Sequence, residues 1–315
     1  MSQKTYILCP GQGAQQVGMG KDYFETSDAA REIFARANTI LNFDLAKRCF
    51  EGPEDRLNQT DISQPAIYVT SIACYQAAIA AGTIDPLAIS ARAGLSLGEY
   101  TALHLGGVFS FEDGLRLVAA RGRYMQEAAL ATPSGMVALA GAADEAKTIE
   151  LCQQAAQGEV LVPANFNAPG QIVVSGARAA CERILPLAEA AGLKAIPLKV
   201  AGAFHSPLMQ PAADRMAAEL EKVKFSTPNQ PVYANVTADQ HHDATSIKKL
   251  LVHQIVKPVR WEQTMARLLE GDGASARWIE LAPGRVLAGL LKRLNRRLPV
   301  ESLNTADALA TAAKT

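Results

Sequence analysis

The sequence predicts an α/β protein in which one folding unit is inserted into another. Three observations carry this. Gly94-Leu95-Ser96-Leu97-Gly98 reads G-x-S-x-G between an apolar run of strand length and a helical one, the pattern of a strand bending sharply into a helix with a serine at the bend. Buried-strand and helix patterns alternate along the chain on both sides of that bend. Between about 133 and 200 the order becomes β-α-β-β-α-β, a ferredoxin-like plan complete in itself. Residues 1–132 with 201–315 are therefore expected to form the large subdomain, and 133–200 the small one.

Bulk properties fit this class. A length of 315 residues suggests about two domains, or one domain with an insertion. With 49% hydrophobic and 20% charged residues, and 31 basic against 31 acidic side chains, the composition is that of a soluble globular protein. Neutral charge gives no support for nucleic-acid binding. The five cysteines are widely spaced without a C-x-x-C pair, so neither a disulfide framework nor a zinc ribbon is suggested. The apolar start Tyr6-Ile7-Leu8-Cys9 is too short for a signal peptide, and no run reaches membrane-spanning length. A cytoplasmic protein is expected.

Taken in order, Tyr6 to Cys9 is a strand stopped by the loop Pro10-Gly11-Gln12-Gly13. Helical patterns follow to about Phe50. A polar, turn-rich stretch then leads through Thr60-Asp61-Ile62-Ser63-Gln64-Pro65 to a helix from Ala66 to Ala81, apolar on most sides and closed by Gly82. Pro86 to Ser90 leads in toward Ser96 as strand, and Glu99 to Leu103 continues as helix. Gly94 lets the chain bend without a Cβ in the way, and Gly98 lets the new helix lie close to the sheet. Ser110 with Asp113 resembles a capping box opening a helix on which Leu117, Val118, Arg121 and Met125 share one stripe. Strands are expected at 136–140, 160–166, 171–175 and 194–200, with helices at 144–157 and 177–191. Ser206-Pro207 suits the start of a helix running to about Lys222. Pro231 to Val236 reads as strand, Ile247 to Ile255 and Trp261 to Leu269 as helices, and Arg277 to Leu281 as strand. Pro283-Gly284-Arg285 opens a last helix whose terminal cations, Lys292 to Arg297, suit the negative end of a helix dipole.

A serine hydroxyl needs a base to become a nucleophile. Of the five histidines, His104 lies two turns along the helix after Ser96, and His241, His242 and His253 read as surface or packing residues. His205, in a loop at the mouth of a helix, follows the serine in the chain order of α/β hydrolases and is the expected base. No acid is an obvious third member: Asp214 and Asp239 stand as candidates, beside a backbone carbonyl or a side-chain amide. Backbone N–H groups of Leu97 and Gln12 suit an oxyanion hole. Arg121, alone in its apolar stripe, reads as a snorkelling or ion-paired side chain.

Pro10-Gly11-Gln12-Gly13-Ala14-Gln15, Gly94 to Tyr100, Arg121 to Gln126, Asn165 to Gln171, Gly202-Ala203-Phe204-His205-Ser206 and Gln254 to Val259 resemble, in order, the motif series of malonyl-CoA:acyl carrier protein transacylases. The resemblance covers the chain from about residue 6 to 290. It implies an α/β-hydrolase-like large subdomain, an inserted ferredoxin-like one, and an active site between them. It further implies that Ser96 is acylated, His205 is the base, and Arg121 binds the malonyl carboxylate. Gln12 and Leu97 would form the oxyanion hole, the main-chain carbonyl of Gln254 would orient His205, and Asn165 and Phe204 would contact substrate. Malonyl-CoA and acyl carrier protein are the implied partners of a monomeric chain, with no metal or bound redox cofactor. Two positions vary locally. Leu95 stands where the family often has histidine, and Phe204 resembles malonyl-selective members because its ring would crowd an α-methyl branch. A serine esterase or thioesterase would share Ser96 and His205 without needing Arg121, and a non-catalytic docking subunit would need none of the three.

Overall fold

The computed structural model describes residues 3–312. In chain order its strands are β1 (Thr5–Cys9), β2 (Ile89–Gly94), β3 (Ser134–Ala140), β4 (Leu161–Ala168), β5 (Gln171–Ala177), β6 (Lys194–Pro197), β7 (Val232–Tyr233), β8 (Arg277–Leu281) and β9 (Val300–Leu303). They form two sheets. The first, ordered β7-β2-β1-β8-β9, is wholly parallel. Parallel pairing demands crossover helices that cover both faces, which is why Ile7, Leu8 and Cys9 are fully buried in a continuous apolar run. The second sheet is antiparallel, ordered β4-β5-β3-β6, with helices Glu145–Ala156 and Arg178–Ala190 packed on it. This is the ferredoxin-like order, so the α/β prediction with an inserted unit is met.

Four local expectations are corrected. The lead-in Pro86–Ala88 is a 3-10 turn with Leu87 exposed, and β2 begins only at Ile89. The buried helix runs Thr60–Ala80, starting six residues before the apolar run and containing Pro65. Its first N–H groups need outside acceptors, and the Gln126 side chain accepts from Thr60 N–H at 2.9 Å. The strand expected over Pro231 to Val236 shrinks to two residues, because the chain then turns to place Asn235 at the bend. Last, the chain does not finish with the Val286–Leu294 helix: β9 closes the sheet beside β8, followed by helix Asp307–Ala312.

The two units are joined along an edge. Phe166 N–H donates to the Val259 carbonyl and Val259 N–H to the Ala164 carbonyl, so a loop of the large unit extends the rim of β4. No helix among the described residues is long and apolar enough to cross a membrane. All five cysteines are buried free thiols.

Candidate active site

Ser96 sits where β2 turns into the Leu97–Leu105 helix, with φ 51° and ψ −104°. A positive φ on a side chain other than glycine costs of order 1–3 kcal/mol and persists only where the surroundings enforce it. They do. A Cβ on Gly94 would come within 1.9 Å of the Gly98 backbone, and one on Gly98 within 2.1 Å of the Cys9 carbonyl. The bend can close only because both positions are bare. The Ser96 N–H donates to Asn235 Oδ1 at 2.6 Å, and Asn235 Nδ2 donates to the Gly94 carbonyl at 2.7 Å, clamping both arms.

His205, also at positive φ (58°), comes from a loop 109 residues later and is 4% exposed. Its Nε2 lies 2.8 Å from Ser96 Oγ, and its Nδ1 lies 2.6 Å from the Gln254 main-chain carbonyl. A carbonyl only accepts, so Nδ1 carries the ring proton and Nε2 offers its lone pair to the serine hydroxyl. Burial, then the nearby Arg121 charge, pull the imidazole down to about 4 against the opposing hydrogen bond to the Gln254 carbonyl. At neutral pH it is therefore an uncharged base. Neither Asp214 nor Asp239 takes the third place: Asp214 accepts from Gln210, and Asp239 pairs with Arg267 at the surface.

Arg121 is 1% exposed at the floor of the same cavity. Its Nη1 donates to Gln64 Oε1 (2.6 Å) and its Nη2 to Gln254 Oε1 (2.8 Å) and Ser96 Oγ (3.1 Å), with the Tyr100 ring 5.6 Å away. It does not snorkel. Its partners are neutral oxygens, and burial lowers its pKa from the usual arginine value, opposed by Tyr100 and Glu99. A buried cation surrounded by neutral acceptors retains its attraction for an anion.

The cavity, about 270 Å³, lies between the subdomains, with Met136, Asn165 and Val173 from the small one facing Ser96, Arg121, Phe204 and His205 from the large one. Leu95 and Gln12 also line it. Leu97, first residue of its helix, has no carbonyl four residues back within that helix, so its N–H belongs to the unsatisfied first turn. The Gln12 loop rests on the bend, since a Cβ at Gly11 would meet the Leu95 carbonyl at 2.2 Å.

Sequence reasoning missed four polar residues at the site. Gln64 and Asn235 lie in stretches whose patterns read as loop and strand, and Glu99 in one that reads as ordinary helix. His241, read as a surface or packing histidine in a polar loop, is a packing one, buried with its Nε2 2.7 Å from Glu99 Oε1. The available signal is an acidic residue inside a mostly apolar helix, which demands a partner.

The acyl transferase domain matches residues 5–310. The chain is 40% identical over 313 residues to malonyl CoA-acyl carrier protein transacylase of Salmonella typhimurium, covering 99% of each. It superimposes on the malonyl CoA-acyl carrier protein transacylase of Coxiella burnetii with a TM-score of 0.95 at 37% identity, over 100% of this chain and 98% of that one. A type II PKS acyl-carrier protein in complex with its malonyl-transacylase matches with a TM-score of 0.93, also at 37% identity, over 99% of each chain. By its sequence from end to end and by its fold, this chain belongs to the acyl transferase domain family.

Proposed function

We propose that this enzyme moves a malonyl group from malonyl-CoA to the phosphopantetheine thiol of acyl carrier protein through an ester on Ser96. The observation that carries this reading is the meeting, on Ser96 Oγ, of a neutral imidazole at 2.8 Å and a buried guanidinium at 3.1 Å. A plain esterase needs only the first. In the first half-reaction the malonyl carboxylate pairs with Arg121, drawing the guanidinium off Ser96 Oγ. The hydroxyl gives its proton to His205 Nε2 while the oxygen attacks the thioester carbonyl. Backbone N–H groups of Leu97 and Gln12 receive the negative oxygen, each such donor being worth about 10²–10³ in rate. The tetrahedral adduct collapses, the C–S bond breaks, and CoA leaves as thiol with the proton from His205. In the second half-reaction the carrier thiol passes its proton to His205 and attacks the ester. Ser96 then departs, taking that proton back.

The Gln254 carbonyl does the work of a triad acid without adding a charge: it holds the ring and stabilises the imidazolium formed in each half-step. Phe204 and Asn165 border the acyl chamber. Selectivity follows from Arg121, because an acetyl group leaves the guanidinium without its anion. Intact-mass measurement after mixing with malonyl-CoA tests the scheme. A single malonyl adduct that discharges onto holo acyl carrier protein is expected, and it should vanish in Ser96→Ala. An adduct that persists in Ser96→Ala would sink the assignment.

A further inference from the structure

Beneath the bend lies a buried polar chain that the scheme above does not use. Glu99 is 1% exposed, and the Gln254 side chain is fully buried. Glu99 Oε1 meets His241 Nε2 at 2.7 Å, while Oε2 accepts from Asn235 N–H at 3.1 Å and from Gln254 Nε2 at 2.7 Å. Gln254 Nε2 also donates to the Ser96 carbonyl at 2.8 Å, and its Oε1 receives Arg121 Nη2 at 2.8 Å. Gln254 thus has two separate tasks. Its main chain orients the base, and its side chain reaches the arginine.

A primary amide has two ends, one donating and one accepting, and can be placed either way round. In this site only one placement serves Arg121. Glu99 Oε2 already accepts a backbone N–H, so it presents a lone pair to Gln254 and takes the amide's NH₂ end. The carbonyl end is thereby turned toward the guanidinium. We propose that Glu99 is a positioning residue for Arg121, acting through the side-chain amide of Gln254 and itself held by His241 and Asn235. Without that acceptor the amide's NH₂ end keeps only the Ser96 carbonyl at 2.8 Å and a longer contact to Asn235 Oδ1 at 3.4 Å, so the amide can turn more readily, bring its NH₂ to the cation and deprive the guanidinium of one of its two amide oxygens. The effect should therefore fall on carboxylated acyl groups and spare those that do not use the arginine.

This inference rests on the proposed role of Arg121 in binding malonyl groups, and the experiment separates the two. Acyl-CoA uptake onto Ser96 is measured for malonyl-CoA and acetyl-CoA in the wild type, Arg121→Ala, Glu99→Leu, Glu99→Gln and Gln254→Met. The malonyl-to-acetyl ratio of kcat/KM should fall at least about tenfold in Glu99→Leu and Gln254→Met, mostly through a raised KM for malonyl-CoA. Glu99→Gln keeps an oxygen toward Asn235 N–H and Gln254, and should hold the ratio within about threefold of the wild type. A merely structural glutamate would lower both substrates in parallel and leave the ratio alone. That result, or a Glu99→Gln variant as impaired as Glu99→Leu, overturns the inference. Should Glu99→Leu fail to fold, Gln254→Met decides: a lost ratio supports the inference and a retained ratio overturns it. A wild type without malonyl preference, or an Arg121→Ala variant that keeps it, removes the underlying reading and this inference with it.

Discussion

At the scale of single residues, the site works because two charged or chargeable groups are buried against one hydroxyl and only one of them is ionised. The uncharged state of His205 is enforced by burial and by the Arg121 cation, which bring the ring to about 4. With the neutral ring as the proposed base, kcat/KM for malonyl-CoA should stay level through the usual histidine range near 6.5 and decline only as pH falls toward about 4. A pH–rate profile with its acid limb near 6.5 would contradict this. The same depression makes folding favour the neutral ring. Its contribution to stability is complete above the unfolded value near 6.5 and is lost as pH falls from there through about 4, which denaturant midpoints across that window would register. Arg121→Ala removes the proposed buried, charge-assisted partner of the carboxylate. Malonyl transfer should fall about 10²- to 10³-fold and acetyl transfer much less.

At the scale of elements, the strand-to-helix bend depends on two bare positions. Gly94→Ala would place a methyl group 1.9 Å from the Gly98 backbone, with no flexible side chain there to yield. We expect a loss of at least about 3 kcal/mol in chemical denaturation, together with loss of acylation, because relief must come from opening the bend itself. The C-terminal part of the sheet has its own anchor. Glu280 of β8 is fully buried, accepting from Leu287 N–H (2.8 Å), Ala288 N–H (3.0 Å) and Ser302 Oγ (2.9 Å), so one carboxylate ties β8 to the helix Val286–Leu294 and to β9. Burial pushes its carboxyl above the usual range against those donors. Glu280→Ala strands three donors and should cost about 3 kcal/mol, with its loosening read as faster amide exchange over Val300–Leu303.

At the scale of the whole molecule, the cavity exists because the small sheet is fastened to the large unit by the paired backbone of Val259 with Ala164 and Phe166. The Arg260–Glu145 ion pair at 3.2 Å bridges the same seam, but both side chains are about one-third or more exposed. Arg260→Ala should therefore change stability by less than about 1 kcal/mol and leave malonyl transfer within about twofold, since screened pairs contribute little. The sequence by itself determined the α/β class, the inserted βαββαβ order, the bend at Ser96 and which histidine meets it, His205. Each rests on local rules: the period of apolar residues, glycines where backbone must pass backbone, and a serine followed by a histidine at a helix mouth. It did not reveal β9, whose pattern Val300-Glu301-Ser302-Leu303 is half polar because Glu301 and Ser302 find partners in Arg277 and Glu280 of the neighbouring strand. Nor did it expose the chain Arg121–Gln254–Glu99–His241, whose successive members stand 133, 155 and 142 positions apart at the two ends of each hydrogen bond. Hydrophobic periodicity is written into neighbouring residues and can be read there. The partner of a buried polar group is chosen by the packing of distant segments, so only the folded chain decides which acceptor a buried donor meets.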